Sequence, residues 1–213
     1  GSTATFTVVL DSEPTGNVMF GHSSADTGEA TVSPAALTFT TANWDTTQTV
    51  TVTGIDDTAT DGNQTTAITV TVNDSSTADS AYDALADQTV SVTTADDDSP
   101  GFTVAASGGS TTVSEAGSTD TFTVVLNAQP TSDVVFNVSS GDTGEATVST
   151  SSLTFTSSNW NTAQTVTVTG IDDTINDGDQ STTITVAVND VSSDNAYDSL
   201  ADQTLSATTT DDD

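Results

Sequence analysis

The chain has 213 residues, of which 31 are Asp or Glu, one is His and none is Lys or Arg, for a formal net charge of −31. Nucleic acid and anionic membrane surfaces are excluded as partners, because both are held through Lys and Arg; cations are favoured instead. No cysteine is present, so disulfides and thiolate metal sites are excluded too, and no apolar run reaches the length of a membrane span.

The length suits two domains of about 100 residues each. Thr, Val, Ser, Asp and Ala dominate, and Thr and Val fit a pleated, half-buried surface. In chain order, Phe6-Thr7-Val8-Val9-Leu10 is the first predicted strand. It is followed by Asp26-Thr27-Gly28-Glu29-Ala30-Thr31-Val32, Asn43-Trp44, Thr53-Gly54-Ile55-Asp56-Asp57, Ala81-Tyr82-Asp83 and the triplet Asp96-Asp97-Asp98. Ser99-Pro100-Gly101 joins directly onto that triplet with no flexible spacer. The same landmarks then return as Phe122–Leu126, Asp142–Val148, Asn159-Trp160, Thr169–Asp173, Ala196–Asp198 and Asp211-Asp212-Asp213, with one residue lost before the Tyr motif.

The chain therefore reads as two copies of one module, 1–98 and 99–213, of the kind found in a longer array. The copies differ at their start. Gly101 through Glu115 forms an extra leading segment with no counterpart in the first copy, which is expected to lack its opening strand and its equivalent of Glu115.

Strict alternation predicts the strands. Phe122, Val124 and Leu126 share one face; Val134, Phe136 and Val138 alternate likewise, as do Leu153 with Phe155, Val166 with Val168, and Ile184, Val186 and Val188. Gln129-Pro130, Ser140-Gly141-Asp142 and Asp177-Gly178-Asp179 are turn signals between them. One helical turn is expected over 195–200. The fold class is all-β: two tandem Greek-key sandwiches of immunoglobulin-like type.

The carboxylates are the chemistry-bearing feature. Calcium takes six to eight oxygen ligands, and in a sandwich the loops at one end can supply them. In the second copy Glu115, Asp142, Asp172, Asp173 and Asp211, Asp212, Asp213 all stand at expected strand ends. A lone loop Asp commonly does no more than bond its own backbone in a turn. Three adjacent carboxylates repel one another, and a turn needs only one, so the triplets point to a cation.

The run Leu153-Thr154-Phe155, Gln164 through Asp173, Asp177-Gly178-Asp179 and the closing Asp triplet resembles the Calx-β family. That resemblance implies a calcium-binding β-sandwich of the kind found in exchanger regulatory domains and bacterial surface-protein repeats. It adds Asp177 and the carbonyl of Ile175 to the ligand set. The first-copy counterparts are Asp26, Asp56, Asp57, Asp61, Asp96, Asp97 and Asp98. Gly178 and Gln180 interrupt an acidic run that is richer in Glu in the family, which suits one or two ions per site rather than four.

Trp44 and Trp160 read as packing residues at a strand start. His22 is solitary, and no nucleophile has a base beside it, so no enzyme is expected. The expected role is a calcium-binding extender of a secreted or cell-surface adhesin, its partners the neighbouring repeats, with calcium at domain ends stiffening the tandem. The alternative is an adhesive module recognising a glycan or protein.

Overall fold

Apolar residues alternating with Thr build the strands, and the burial follows the alternation. On Val134–Ser140, Val134, Phe136 and Val138 are 0%, 0% and 3% exposed while Asn137 between them faces water. The computed structural model describes residues 1–213 in two units, 1–57 with 62–96, and 58–61 with 97–213.

The first unit contains β1 (Thr3–Val8), β2 (Val18–Ser24), β3 (Ala30–Ser33), β4 (Ala36–Phe39), β5 (Gln48–Gly54), β6 (Gln64–Val72) and β7 (Gln88–Thr94). They form two sheets, ordered β1-β5-β3 and β4-β2-β6-β7. The second unit contains β8 (Phe102–Ala106), β9 (Thr111–Ser114), β10 (Thr119–Leu126), β11 (Val134–Ser140), β12 (Ala146–Val148), β13 (Ser152–Phe155), β14 (Gln164–Gly170), β15 (Gln180–Val188) and β16 (Gln203–Thr210). Its sheets run β12-β14-β10-β8 and β13-β11-β15-β16-β9.

Every sequential strand pair of the second unit except β15–β16 changes sheet, which gives the Greek-key sandwich. Phe122 and Val124 on β10 and Val166 and Val168 on β14 meet Phe136 and Val138 on β11 and Ile184 and Val186 on β15 in one core. Phe136 is its centre, with the rings of Phe102 at 4.6 Å and Phe155 at 5.9 Å. Burying each such side chain contributes roughly 1.5–3 kcal/mol. The all-β, immunoglobulin-like class is the one the alternation predicted.

Two local expectations are corrected. The leading segment of the second copy is two strands rather than one: β8 pairs antiparallel with β10, and β9 pairs parallel with β16 in the opposite sheet. Gly108 and Gly109, at φ 64° and 86°, supply the left-handed turn that carries the chain across. The segment 195–200 forms successive turns rather than a helix. Asp194 holds it there, its carboxylate accepting the amides of Thr131, Ser132 and Ala196, while the buried Tyr197 hydroxyl donates to the Ala128 carbonyl at 2.7 Å.

Trp44 and Trp160 pack half-buried on their cores, and their carbonyls accept the amides of Leu10 and Leu126. His22 is buried on β2, its Nδ1 2.9 Å from the Pro34 carbonyl oxygen.

Candidate metal centre

Strand pairing brings the acidic segments of the second unit together. Ser114 lies opposite Thr210 in the parallel β9–β16 pair, so Glu115 and Asp211 leave adjacent strands side by side. Glu115 donates its amide to the Thr210 carbonyl at 3.1 Å. Ala146 lies opposite Gly170, and Ile171 donates its amide to the Glu145 carbonyl, which sets Glu145 beside Asp172 and Asp173. Gln180 lies opposite Thr209, so the Asp177–Asp179 turn meets the end of β16.

Two glycines make this possible. Gly178, at φ 74°, points its amide at Asp211 Oδ2, 2.7 Å away. Gly170 has no room for a Cβ, because the Ser114 carbonyl occupies that space.

One carboxylate oxygen each from Glu115, Asp211 and Asp213 lies within 4.8 Å of the other two. Glu115 is only 1% exposed, and its Oε2 is buried with no hydrogen-bond partner; Glu145 Oε2 is in the same position. Burial pushes the Glu115 carboxyl above its usual range. The Asp212 amide pulls it back, and the charges of Asp211, Asp173 and Glu145 push it up again. Glu145 is raised by burial and then by Asp177, Asp142, Asp173 and Asp211. Asp213 is raised by burial, then by Asp211, Asp212, Asp172 and Asp173.

A buried carboxylate oxygen without a donor is costly to leave unmade. The chain has no Lys or Arg to pair with it. The donors are oxygens alone, two of them buried and unpartnered, beside a hollow of about 380 Å³ lined by Glu115, Gly170, Asp172 and Asp212. This donor set fits a hard divalent cation of the calcium type and offers nothing to a soft one.

Among the residues singled out from the sequence, Glu115, Asp142, Asp172, Asp173, Asp177, Asp211, Asp212 and Asp213 lie at this one pole, within each other's fields. Asp142 also closes a turn through the Gly144 amide at 2.9 Å. Ile175 is hydrogen-bonded to two of these residues. Its side chain is 60% exposed, its carbonyl accepts the Asp177 amide, and its amide donates to Asp173.

In the first unit, carboxylate oxygens of Glu29 and Asp57 lie within 4.8 Å of each other. Asp26 closes a turn through the Gly28 amide, Asp56 is exposed, and Asp96 accepts the Gly62 amide at 2.7 Å. Asp61, in the segment 58–61, is exposed, as is Asp97; Asp98 is half-buried, and all three are grouped with the second unit.

Sequence reasoning passed over Glu29 and Glu145. The signal was present: each stands directly before Ala30 or Ala146, both 0% exposed, so its side chain starts at the edge of the core.

The fold and site together define an all-β, immunoglobulin-like chain whose second unit carries an acidic, oxygen-only pole. No protein-family model and no curated protein matches it. Among solved structures it is similar to domains 4 and 5 of the S-layer protein SbsC, at 21% identity over 90% of this chain and 70% of that one, with a TM-score of 0.41. Domains 1–6 of SbsC match at 20% identity over 91% of this chain and 20% of theirs, with a TM-score of 0.42. The calcium binding domain CBD12 of CALX1.1 matches at 12% identity over 87% and 73% of the two chains, with a TM-score of 0.34.

Proposed function

We propose that the chain is a calcium-binding extender segment of a cell-surface or secreted protein and has no enzymatic role. The observation that carries this reading is Glu115: a carboxylate 1% exposed, with an unpartnered oxygen, in a cluster with Asp211 and Asp213 and in a chain that has no Lys or Arg. Glu115, Asp211 and Asp213 would hold the ion, with Glu145, Asp172 and Asp173 close enough to share it. Calcium bound there would neutralise the crowded charges. It would also tie together the ends of β9, β14 and β16, which come from both sheets of the sandwich, and so stiffen that end of the module. Tandem copies of one module suit a spacer that lengthens by repetition, and an extracellular setting supplies calcium at the concentration such a site needs. Neighbouring repeats are its partners.

Calorimetric titration of calcium into chelator-stripped protein tests the reading. Saturable binding that Glu115→Gln weakens supports it. Absence of any calcium heat, with melting temperatures equal in calcium and EDTA, would sink it.

A further inference from the structure

We propose that Asn73 is the acceptor of an N-linked oligosaccharide. The sequence holds three Asn-x-Ser/Thr triplets, starting at Asn63, Asn73 and Asn137. That triplet is the pattern on which exported proteins receive an oligosaccharide through asparagine. The pattern does not choose among the three, but the fold does.

A transferase has to reach the asparagine amide and the hydroxyl two residues on at the same time. Asn137 and Ser139 lie within β11, which is paired on both sides: Asn137 is opposite Ser152 on β13 and Ala187 on β15. Val138 between them is a core residue. An extended strand keeps residues i and i+2 about 6.7 Å apart, and the two ladders hold them there. The triplet at Asn63 runs into β6, where Thr65 is opposite Thr93 and their hydroxyls share a hydrogen bond of 3.3 Å. The Asn63 side-chain oxygen is taken by the Asp96 amide at 3.0 Å.

Asn73 stands in the turn after β6, and Asn73, Asp74 and Ser75 are all exposed. Its backbone is fixed from both sides. The Asn73 amide donates to the Met19 carbonyl at 2.8 Å, and the amides of Ser76 and Thr77 donate to the Asn73 carbonyl, both at 2.9 Å. The turn brings the two functional groups together, with Ser75 Oγ donating to Asn73 Oδ1 at 2.8 Å. Only Nδ2 of this residue makes no hydrogen bond. A carboxamide nitrogen is a poor nucleophile, because resonance draws its lone pair toward oxygen. A hydroxyl donating to that oxygen makes the Nδ2 proton easier to remove.

The second unit supplies the contrast. Asn189 is held in the same way, its amide donating to the Val135 carbonyl at 2.8 Å, and Asp190 follows it. Val191, 96% exposed, stands where the first unit has Ser75. The loop tip faces water in both units, but only in the first does it carry the hydroxyl.

The donor is an oligosaccharide carried on a polyprenyl pyrophosphate. Asn73 Nδ2 forms the bond to the anomeric carbon, the bond from that carbon to the pyrophosphate oxygen breaks with its electron pair, and the Nδ2 proton passes to a base of the transferase. That the chain meets such an enzyme rests on the cell-surface or secreted reading above; the acceptor geometry does not.

The test incubates the folded 213-residue chain with a purified oligosaccharyltransferase that requires only Asn-x-Ser/Thr, together with its lipid-linked oligosaccharide. A short acceptor peptide in the same reaction shows that the enzyme is active. Intact mass and peptide mapping should find one glycan, at Asn73, and none at Asn189. Asn73→Gln and Ser75→Ala should each abolish it, whereas Ser75→Thr should retain it, with melting unchanged by either substitution at Ser75. No glycan at Asn73, or modification of Asn63 or Asn137 as readily as Asn73, overturns the proposal. A glycan that survives Ser75→Ala overturns it too, because the hydroxyl would then play no part. A failed calcium titration leaves a glycan at Asn73 standing, and a failed transfer leaves the calcium reading standing, so the two are judged separately.

Discussion

Glu115→Gln separates the two forces acting at the acidic pole. The substitution keeps shape and leaves an oxygen to accept the Asp212 amide, but it removes one charge from a group that burial and Asp211, Asp173 and Glu145 already push toward protonation. Its new amide faces a cluster of acceptors. Without metal, Glu115→Gln is therefore expected to melt above the parent chain. With metal the order reverses. An ion that binds only the folded state stabilises it by about 2.7 kcal/mol at a hundredfold excess over its Kd. A hundredfold loss of affinity would leave the same calcium concentration near the new Kd, for only about 0.4 kcal/mol. In a domain of this size the lost stabilisation corresponds to a melting shift of about 10 °C. Differential scanning calorimetry of both proteins, in EDTA and in calcium, reads the crossing directly. A variant that melts below the parent in both buffers would refute the reasoning, because Glu115 would then be a structural hydrogen-bond acceptor rather than a charge awaiting an ion.

Other expectations follow from the same geometry. In EDTA, stability should rise as pH falls from neutral, because Glu115, Glu145 and Asp213 have raised folded values and the folded state takes up protons first. Asp79 and Asp194 act in the opposite sense. Thr15 and Ala81 amides lower Asp79, and at Asp194 burial is outweighed by bonds from Ala196, Thr131 and Ser132. Their contribution is present above the ordinary carboxylate value of about 4 and disappears as pH falls through their depressed folded values, so the EDTA melting profile should peak between neutrality and that range. Asp194→Ala should cost about 2–3 kcal/mol in urea unfolding of the second unit, since it strands the Thr131, Ser132 and Ala196 amides; an Asn that restores nothing would show that charge, not acceptance, is what matters. Gly170→Ala should cost about 1–3 kcal/mol by driving β9 off β14, while Gly54→Ala should be close to neutral; equal costs would mean the Ser114 contact relaxes freely.

The fold was legible because burial enforces period two. The alternation of Val134, Phe136 and Val138, and of Phe122, Val124 and Leu126, needs no tertiary knowledge to read. The leading segment was not legible as two strands. Phe102-Thr103-Val104 and Thr111-Thr112-Val113 look alike as extended sequence, and the change of sheet depends on Gly108 and Gly109 taking positive φ. The expected turn of helix at 195–200 failed for a related reason. Asp194 spends its carboxylate on Thr131 and Ser132, more than sixty residues away, and no local propensity reports such a partner.

The site shows the same division. Acidic strand ends were visible as residues, but their convergence depends on the parallel β9–β16 register, which sets Glu115 beside Asp211. Glu145 was overlooked because Asp142, the more familiar turn-forming acid, precedes it in the same motif. Asp142 proves to be partly committed to the Gly144 amide, while Glu145 carries the buried oxygen with no donor. Counting acids finds where a cation would be attracted. Which of them need one is decided by their hydrogen bonds, since a carboxylate oxygen already served by a backbone amide gains little from an ion and a buried oxygen without a donor gains much. By that criterion Glu115 and Glu145 are the two residues of the acidic pole with a buried oxygen that the fold itself leaves without a donor.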